Sequence, residues 1–366
     1  MQMAFPLKEF QQKSWRKKVT AFKKSIDTKG YPLSPDELIS MAEHGSMESR
    51  LVENMETVSF GPFPKRRVTK SLYSGTGMLF VQGLEQHLEI IRNLMSTQFK
   101  FIPTWQFEDV MGSLSYESAS CGAHFDQYDV FLLQHTGTKQ WLFDDGSHID
   151  EDLMENTELR LLKNFAPTSE IIANEGDLIY VPPGTGHHGI SKNLSITLSI
   201  GIRNPTPFEI LGDLSTHVMS KMGNQVPASS KLFSGQAGIS DDFVSEIRQA
   251  LEEALTRENT EDWIGIFSTL LKNPDLLETS DSEKPLIGSS LRATLPSRFA
   301  FKTKETNVLF FVNGERYILD LSDTNWIFEL VTERQFVYRE NMSFSGENCI
   351  SEMIRDGSLS VVSAHE

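Results

Sequence analysis

The 366-residue sequence predicts an α+β fold with a mainly β core, and three observations predict it. Between about residues 100 and 203 the chain runs in apolar segments of four to eight residues punctuated by Gly and Pro, the pattern of a sandwich or barrel. On either side, apolar residues recur at helical spacing. The last 80 or so residues read as a strand hairpin with helices, so the length divides into a central β domain, a helical stretch and a small module.

Taken in order, Ser34-Pro-Asp-Glu37 supplies a capping serine, a proline at the first helical position and a glutamate three residues beyond the cap. A helix should start there and run toward Glu43. Leu84, Leu88, Ile91 and Met95 predict a second helix over 83–96. The basic stretch from Trp15 to Lys24 reads as a solvated face rather than an RNA site, because the chain as a whole is acidic. Val130 to Gln134, the turn Thr136-Gly137 and Gln140 to Phe143 predict a hairpin; Asp177–Val181 and Leu194–Ile202 predict two more strands. Beyond Asn204-Pro-Thr-Pro207, two stripes recur at helical spacing: Phe243, Ile247, Leu251 and Leu255, then Trp263, Ile266, Phe267 and Leu270. Such stripes are most often intramolecular core, and docking on a second subunit is the alternative. Asn273 to Pro285 suits a linker. Val308–Val312, Asn313-Gly314 and Arg316–Leu319 give a hairpin signal; helices near 326–334 and 350–355 and a strand at Leu359–Val362 suggest a winged-helix-like module.

Composition excludes several functions. A net charge of −16 argues against a nucleic-acid-coating role, since phosphate binding needs a basic surface, and it suits a basic protein partner. Two cysteines, Cys121 and Cys349, cannot build a disulfide framework or a zinc knuckle, which points to a reducing cytoplasm. No apolar run of membrane-spanning length appears, and the N-terminus lacks the apolar stretch of a signal peptide. There is no Gly-x-Ser-x-Gly elbow, no Walker loop and no complete Gly-x-Gly-x-x-Gly.

The chemistry concentrates in two segments. His124-Phe-Asp126 precedes an apolar strand, and on a strand residues i and i+2 share a face, so both side chains could enter a barrel. A third ligand from another strand would complete a facial triad of two histidines and one carboxylate, which leaves coordination sites open for a 2-oxoacid and O2 on Fe(II). His148-Ile-Asp150 repeats the tripeptide, but its acidic, turn-like surroundings read as a solvated loop. The second segment is more specific: Gly176, Pro182, Gly184 and His187 fit the second cupin motif, in which glycines and prolines bend the chain and deliver a histidine to a barrel mouth. His188, next on the strand, should face the other way.

Gly122 to Gln134, Gly137-Thr-Lys-Gln-Trp141, Tyr180 to Gly189, Ser34 to Leu38, Ser59 to Phe63 and Gly201 to Pro205 together resemble the JmjC-type ribosomal oxygenases of the cupin-4 family, in particular its bacterial arginine-hydroxylating members. The resemblance covers roughly residues 5–205. It implies a double-stranded β-helix (the JmjC/cupin fold) over 1–205, a helical dimerisation region over 206–273 and a winged-helix-like domain over 286–366. It also implies Fe(II)- and 2-oxoglutarate-dependent hydroxylation with O2, in the cytoplasm, by a homodimer that binds neither membrane nor nucleic acid directly.

Carried over by residue, His124, Asp126 and His187 would hold iron, and Lys139 would pair with the distal carboxylate of 2-oxoglutarate. Ser115 and Thr197 would line the co-substrate site, and Glu117 is a candidate for the guanidinium of a substrate arginine. The implied substrate carbon is the arginine β-carbon of a large-subunit ribosomal protein. Alternatives are a ribosomal histidine or another protein side chain, or a binding module with a vestigial metal site. The sequence departs from the family pattern at Lys139, where bacterial members carry arginine, at Thr197 in place of asparagine, and at Ser191, where the motif usually ends in asparagine.

Overall fold

A computed structural model of the chain describes residues 6–45, 47–155, 159–221, 238–271, 273–279 and 285–362. It forms two compact units, 1–203 and 204–366.

The first unit opens with α1 (Leu7–Lys13), β1 (Thr20–Phe22) and α2 (Pro35–Glu43). The capping box closes as the sequence predicts: Ser34 Oγ accepts from the Glu37 amide, and the Glu37 carboxylate accepts from the Ser34 amide. β2 (Ser49–Glu53), β3 (Thr57–Phe60), α3 (Lys65–Tyr73) and β4 (Gly77–Val81) follow. The helix expected over 83–96 is two helices, α4 (Leu84–His87) and α5 (Glu89–Gln98), broken at Leu88, whose backbone is extended. Leu84, Ile91, Leu94 and Met95 are all buried, and Leu88 at the break is half-buried.

Seven further strands build the barrel: β5 (Phe107–Ser115), β6 (Asp129–Thr136), β7 (Thr138–Ser147), β8 (Ser169–Asn174), β9 (Leu178–Val181), β10 (Thr185–Ser191) and β11 (Ser195–Ile202). One sheet has the order β1-β9-β6-β11-β5-β4-β2-β3 and the other β10-β7-β8. The hairpin expected at 130–143 is therefore not one. β6 and β7 are consecutive strands in different sheets, joined through Gly137. Its φ is +73°, and a Cβ there would lie 1.9 Å from the Leu194 carbonyl, so a glycine makes the crossing.

Period-2 alternation separates two faces of the large sheet. Val110, Leu114, Phe131, Leu133, Ile196, Leu198 and Ile200 join the main core with residues of the N-terminal helices. Val130, Leu132, Ile179 and Val181 point the other way and pack with Trp141, Phe143 and Ala173 of the small sheet. That second face is the barrel interior, which also carries Ser113, Ser115, Gln134 and Thr197 by the same alternation.

The second unit holds α6 (Pro207–Glu209), α7 (Ser215–Lys221), α8 (Asp241–Ala254) and α9 (Arg257–Thr269). Trp263 and Phe267 are buried with Leu214 and Val218. The stripe of Phe243, Ile247, Leu251 and Leu255 is exposed. In the C-terminal part, β14 (Val308–Val312, after β12, Ser290–Ala293, and β13, Phe299–Thr303) pairs with β15 (Glu315–Leu319) as the Asn313-Gly314 signal predicts. α10 (Thr324–Glu333), β16 (Gln335–Val337), α11 (Phe344–Arg355) and β17 (Leu359–Val362) complete a core around Trp326, Ile327 and Ile350. The expected linker at 273–285 is described only in part.

Candidate metal centre

His124, Asp126 and His187 come together: each offers a ligand atom, and these atoms lie within 4.8 Å of one another. The route differs from the expectation in one respect. His124-Phe-Asp126 is not on a strand; His124 makes a single antiparallel bridge with His187, exchanging both backbone hydrogen bonds at 2.8 and 3.0 Å. His187 lies on β10, buried, after the bend formed by Pro182 to Gly184.

Each imidazole is tethered through Nδ1 to a carbonyl, His124 to Gly122 O (3.1 Å) and His187 to Thr185 O (3.0 Å). A carbonyl only accepts, so Nδ1 carries the hydrogen and Nε2 is left as the ligand atom. His187 Nε2 is 3.7 Å from Asp126 Oδ2. The two ring centroids are 4.3 Å apart, too close for both rings to be charged. Burial opposes charge on both. The Cys121 sulfur and Asp126 carry His124 up to about 9, whereas burial and the His124 charge hold His187 down to about 4. Two imidazoles and a carboxylate suit Fe(II), and a bound divalent cation would displace the shared proton.

Lys139, on β7 rather than on the returning strand of a hairpin, is 2% exposed, and among the described residues it has no ion-pair partner. Burial lowers its pKa to about 8. Its ammonium lies 5.0 Å from the Trp141 ring centroid, and Trp141 Nε1 is itself buried with no hydrogen-bond partner. Two unsatisfied donors side by side are what a buried carboxylate would satisfy. Gly189 makes the room: a Cβ there would lie 2.8 Å from both Lys139 Cε and the Trp141 ring.

Ser191 stands in register with Lys139, and its hydroxyl meets Ser115 Oγ at 2.6 Å across the two sheets. Ser115 thus lies at the level of Lys139, and the serine in place of the family's asparagine has a definite partner. Thr197 donates to Gln134 Oε1 (3.1 Å), and Gln134 donates to Ser195 (2.8 Å), a buried chain on the interior face. Glu117 is exposed on the turn after β5, apart from these buried groups. His188 faces away from the triad as expected, with Nε2 2.7 Å from Ser120 Oγ. His148 contradicts the solvated-loop reading: its side chain is 14% exposed, enclosed by Asp144, Asp152 and the barrel. Sequence reasoning passed over Trp141 and Cys121 as site residues. Trp141 had a signal, two positions beyond Lys139 on a strand; Cys121 reaches His124 Nδ1 (3.9 Å) through a loop that has none.

Two facing sheets enclosing two histidines and a carboxylate define a JmjC/cupin metal centre, and residues 94–210 match the JmjC domain family. Over those residues the chain carries a JmjC domain. It is 28% identical over 270 residues to the Escherichia coli ribosomal protein uL16 3-hydroxylase, covering 71% of this chain and 70% of that protein. It is 27% identical over 206 residues to a probable ribosomal oxygenase of Haemophilus influenzae, covering 55% of this chain and half of that one. The structure of E. coli ycfD shares the fold over 99% of both chains, with a TM-score of 0.79 and 22% identity. Another ycfD structure is a complex with cobalt and 2-oxoglutarate, at a TM-score of 0.78 and 22% identity over 98% of this chain.

Proposed function

We propose that the chain is an Fe(II)- and 2-oxoglutarate-dependent oxygenase that hydroxylates the β-carbon of an arginine in a large-subunit ribosomal protein. The observation that carries the reading is the conjunction of the triad with Lys139, a buried cation with no ion-pair partner among the described residues. Iron and 2-oxoglutarate, when bound, supply the O2-dependent oxidation of an unactivated carbon. The chain's own part is positioning. His124, Asp126 and His187 would hold the metal; Lys139, with Ser115 and Thr197 nearby, would receive the co-substrate. The apolar interior of Val130, Leu132, Ile179 and Val181 excludes water around that pair.

A cationic substrate is supported by the opposite end of the same strands. A Cβ on Gly201 would touch Glu108, Tyr128 and the Asp109 carboxylate, and Asp126, burial, Asp109 and Glu108 together push the Tyr128 phenol up. Asp126, Asp109 and Glu108 therefore converge beside the metal site with Arg50 and with Arg203, which lies 3.7 Å from Glu108, so that the acids outnumber the bases and a further guanidinium would balance them. These groups, more than the exposed Glu117, would contact the arginine. The exposed stripe of α8 supports a second copy of the chain as a partner.

The test is incubation of the iron-loaded protein with 2-oxoglutarate and peptides of basic large-subunit ribosomal proteins, the uL16 counterpart first. The expected result is succinate together with a peptide heavier by one oxygen, the added atom mapping to an arginine. The oxygen on a histidine would replace the substrate reading, and no succinate with any peptide would overturn the oxygenase reading for this chain.

A further inference from the structure

The second His-x-Asp tripeptide is absorbed by neither the metal ligands nor the co-substrate site, yet it is built into the structure against the first. Phe125, between the two ligands of the first tripeptide, is 5% exposed, and the His148 ring stacks on it at 6.1 Å between centroids and 29° between planes. Two residues on, Asp150 Oδ1 accepts from Gln127 Nε2 at 3.0 Å, and Gln127 directly follows the ligand Asp126. The backbones are joined as well. His148 N donates to Gly184 O and Gly184 N donates to Asp126 O, each at 2.8 Å, so Gly184 links the two tripeptides. On its other side the His148 ring fills the space above Gly186, where a Cβ would come within 2.9 Å of Nε2, and Gly186 precedes the ligand His187.

The ring is also held in its own loop. Nε2 lies 3.3 Å from Asp144 Oδ2 and Nδ1 3.6 Å from Asp152 Oδ2. Asp144 is fixed independently by the amides of Gly146 and Ala166, so the clasp has a rigid base.

We propose that His148 is a positioning residue of the metal centre. Its ring backs Phe125 and the Gly184–Gly186 bend, and so fixes the separation of His124 and Asp126 from His187 before metal arrives. This rests on the triad being the metal site. A ligand set arriving on two segments, one of them outside any strand and joined to the other only by a single bridge and the Gly184–Asp126 hydrogen bond, pays ordering entropy on binding to the extent that its side chains are not held beforehand. The His148 ring touches both segments, as Leu162 does through Ala123 O and Gly186, with Asp150 as a further, weaker hold.

The test uses the metal-free full chain titrated with Mn(II) and followed by electron paramagnetic resonance, beside thermal unfolding of the same samples. His148→Ala removes the ring, whereas His148→Phe keeps a ring of similar shape and leaves Asp144 its backbone amides. With His148→Ala, Mn(II) binding is expected to weaken about tenfold, in the range seen when groups behind metal ligands are removed. His148→Phe is expected to stay within about threefold of wild type, because packing does the positioning. Gln127→Ala, at an exposed position, should cost about two- to threefold. Unchanged Mn(II) affinity in a folded His148→Ala would overturn the proposal, as would equal losses for a folded Ala and a folded Phe variant. If the Ala variant does not fold, the Phe variant decides by the same threefold limit. A wild-type chain that binds no Mn(II) would sink the metal-site reading itself, a distinct outcome.

Discussion

Replacing Lys139 by methionine should stabilise the metal-free protein while abolishing the co-substrate site. The lysine is buried with no ion-pair partner among the described residues, and burial lowers its pKa from 10.5 to about 8. At 1.36 kcal/mol per pH unit that drop corresponds to about 3 kcal/mol lost by folding with the ammonium charged. Methionine fills a similar volume, keeps contact with Trp141 and carries no charge. For a unit of this size, about 3 kcal/mol raises the melting temperature by roughly 6–12 °C. The pH dependence separates this cause from better packing. Below pH 8 the lysine is protonated in both folded and unfolded chains, and the penalty is whole. Between 8 and 10.5 the folded chain gives up its proton first, the unfolded state binds more protons, and wild type gains stability as pH rises. The gap between Lys139→Met and wild type should therefore be widest at pH 7 and close toward pH 10. Scanning calorimetry of both metal-free proteins from pH 7 to 10 reads it directly. Measured against the Mn(II)-loaded proteins, adding 2-oxoglutarate at 100 times its dissociation constant should give wild type about 2.7 kcal/mol and the variant nothing. A variant no more stable than wild type at pH 7, or a gap indifferent to pH, would refute the account of Lys139 as a strained, waiting cation.

Two further substitutions test neighbouring parts of the argument. Gly189→Ala places a methyl 2.8 Å from Lys139 Cε and the Trp141 ring; 2-oxoglutarate affinity should drop about tenfold by calorimetric titration, with Mn(II) affinity untouched. Asp129, wholly buried, accepts from Arg16 Nε at 2.8 Å and from the Tyr180 hydroxyl at 2.6 Å, fastening the N-terminal segment to the barrel. Asp129→Asn should cost about 2–3 kcal/mol in urea unfolding, and less than 1 kcal/mol would mean that the segment is held by its aromatic packing alone.

What the sequence made legible was whatever local chemistry decides. The Ser34 capping box, the bend that delivers His187 and the Asn313-Gly314 hairpin each depend on a few neighbouring residues, and each is found where the pattern puts it. The choice of His187 over His188 followed from strand alternation alone. What was not legible depends on partners far along the chain. Thr136-Gly137 is as good a hairpin signal as Asn313-Gly314, yet β6 and β7 part into two sheets. Gly137 is pressed against the Leu194 carbonyl, 57 positions away, and nothing between 130 and 143 encodes that contact. His148 failed for the same reason. Its loop has no apolar pattern because its burial is supplied by Phe125 and Gly186, from two other segments.

The register also explains how one barrel can serve an anion and a cation. On the interior face of β5, Ser115 and Asp109 are six residues apart, about 20 Å of extended chain. Ser115 pairs with Ser195 of β11 and, through Ser191, reaches the level of Lys139. At the other end of β11, Gly201 stands in register with Val130, just after the segment that carries Asp126, and abuts Asp109 and Glu108. Lys139 thus lies at one end of the strands, and Asp109 and Glu108, the latter paired with Arg203, lie at the other. At that separation the attraction between Lys139 and the acids is weak, so the two ends act independently of one another. A dicarboxylate entering beside Lys139 would meet a buried cation, whereas a guanidinium beside Asp109 would join a cluster in which Arg203 already lies 3.7 Å from Glu108. The proposed preference for a cationic side chain rests on the acids around Tyr128, which are Asp126, Asp109 and Glu108, outnumbering Arg203 and Arg50.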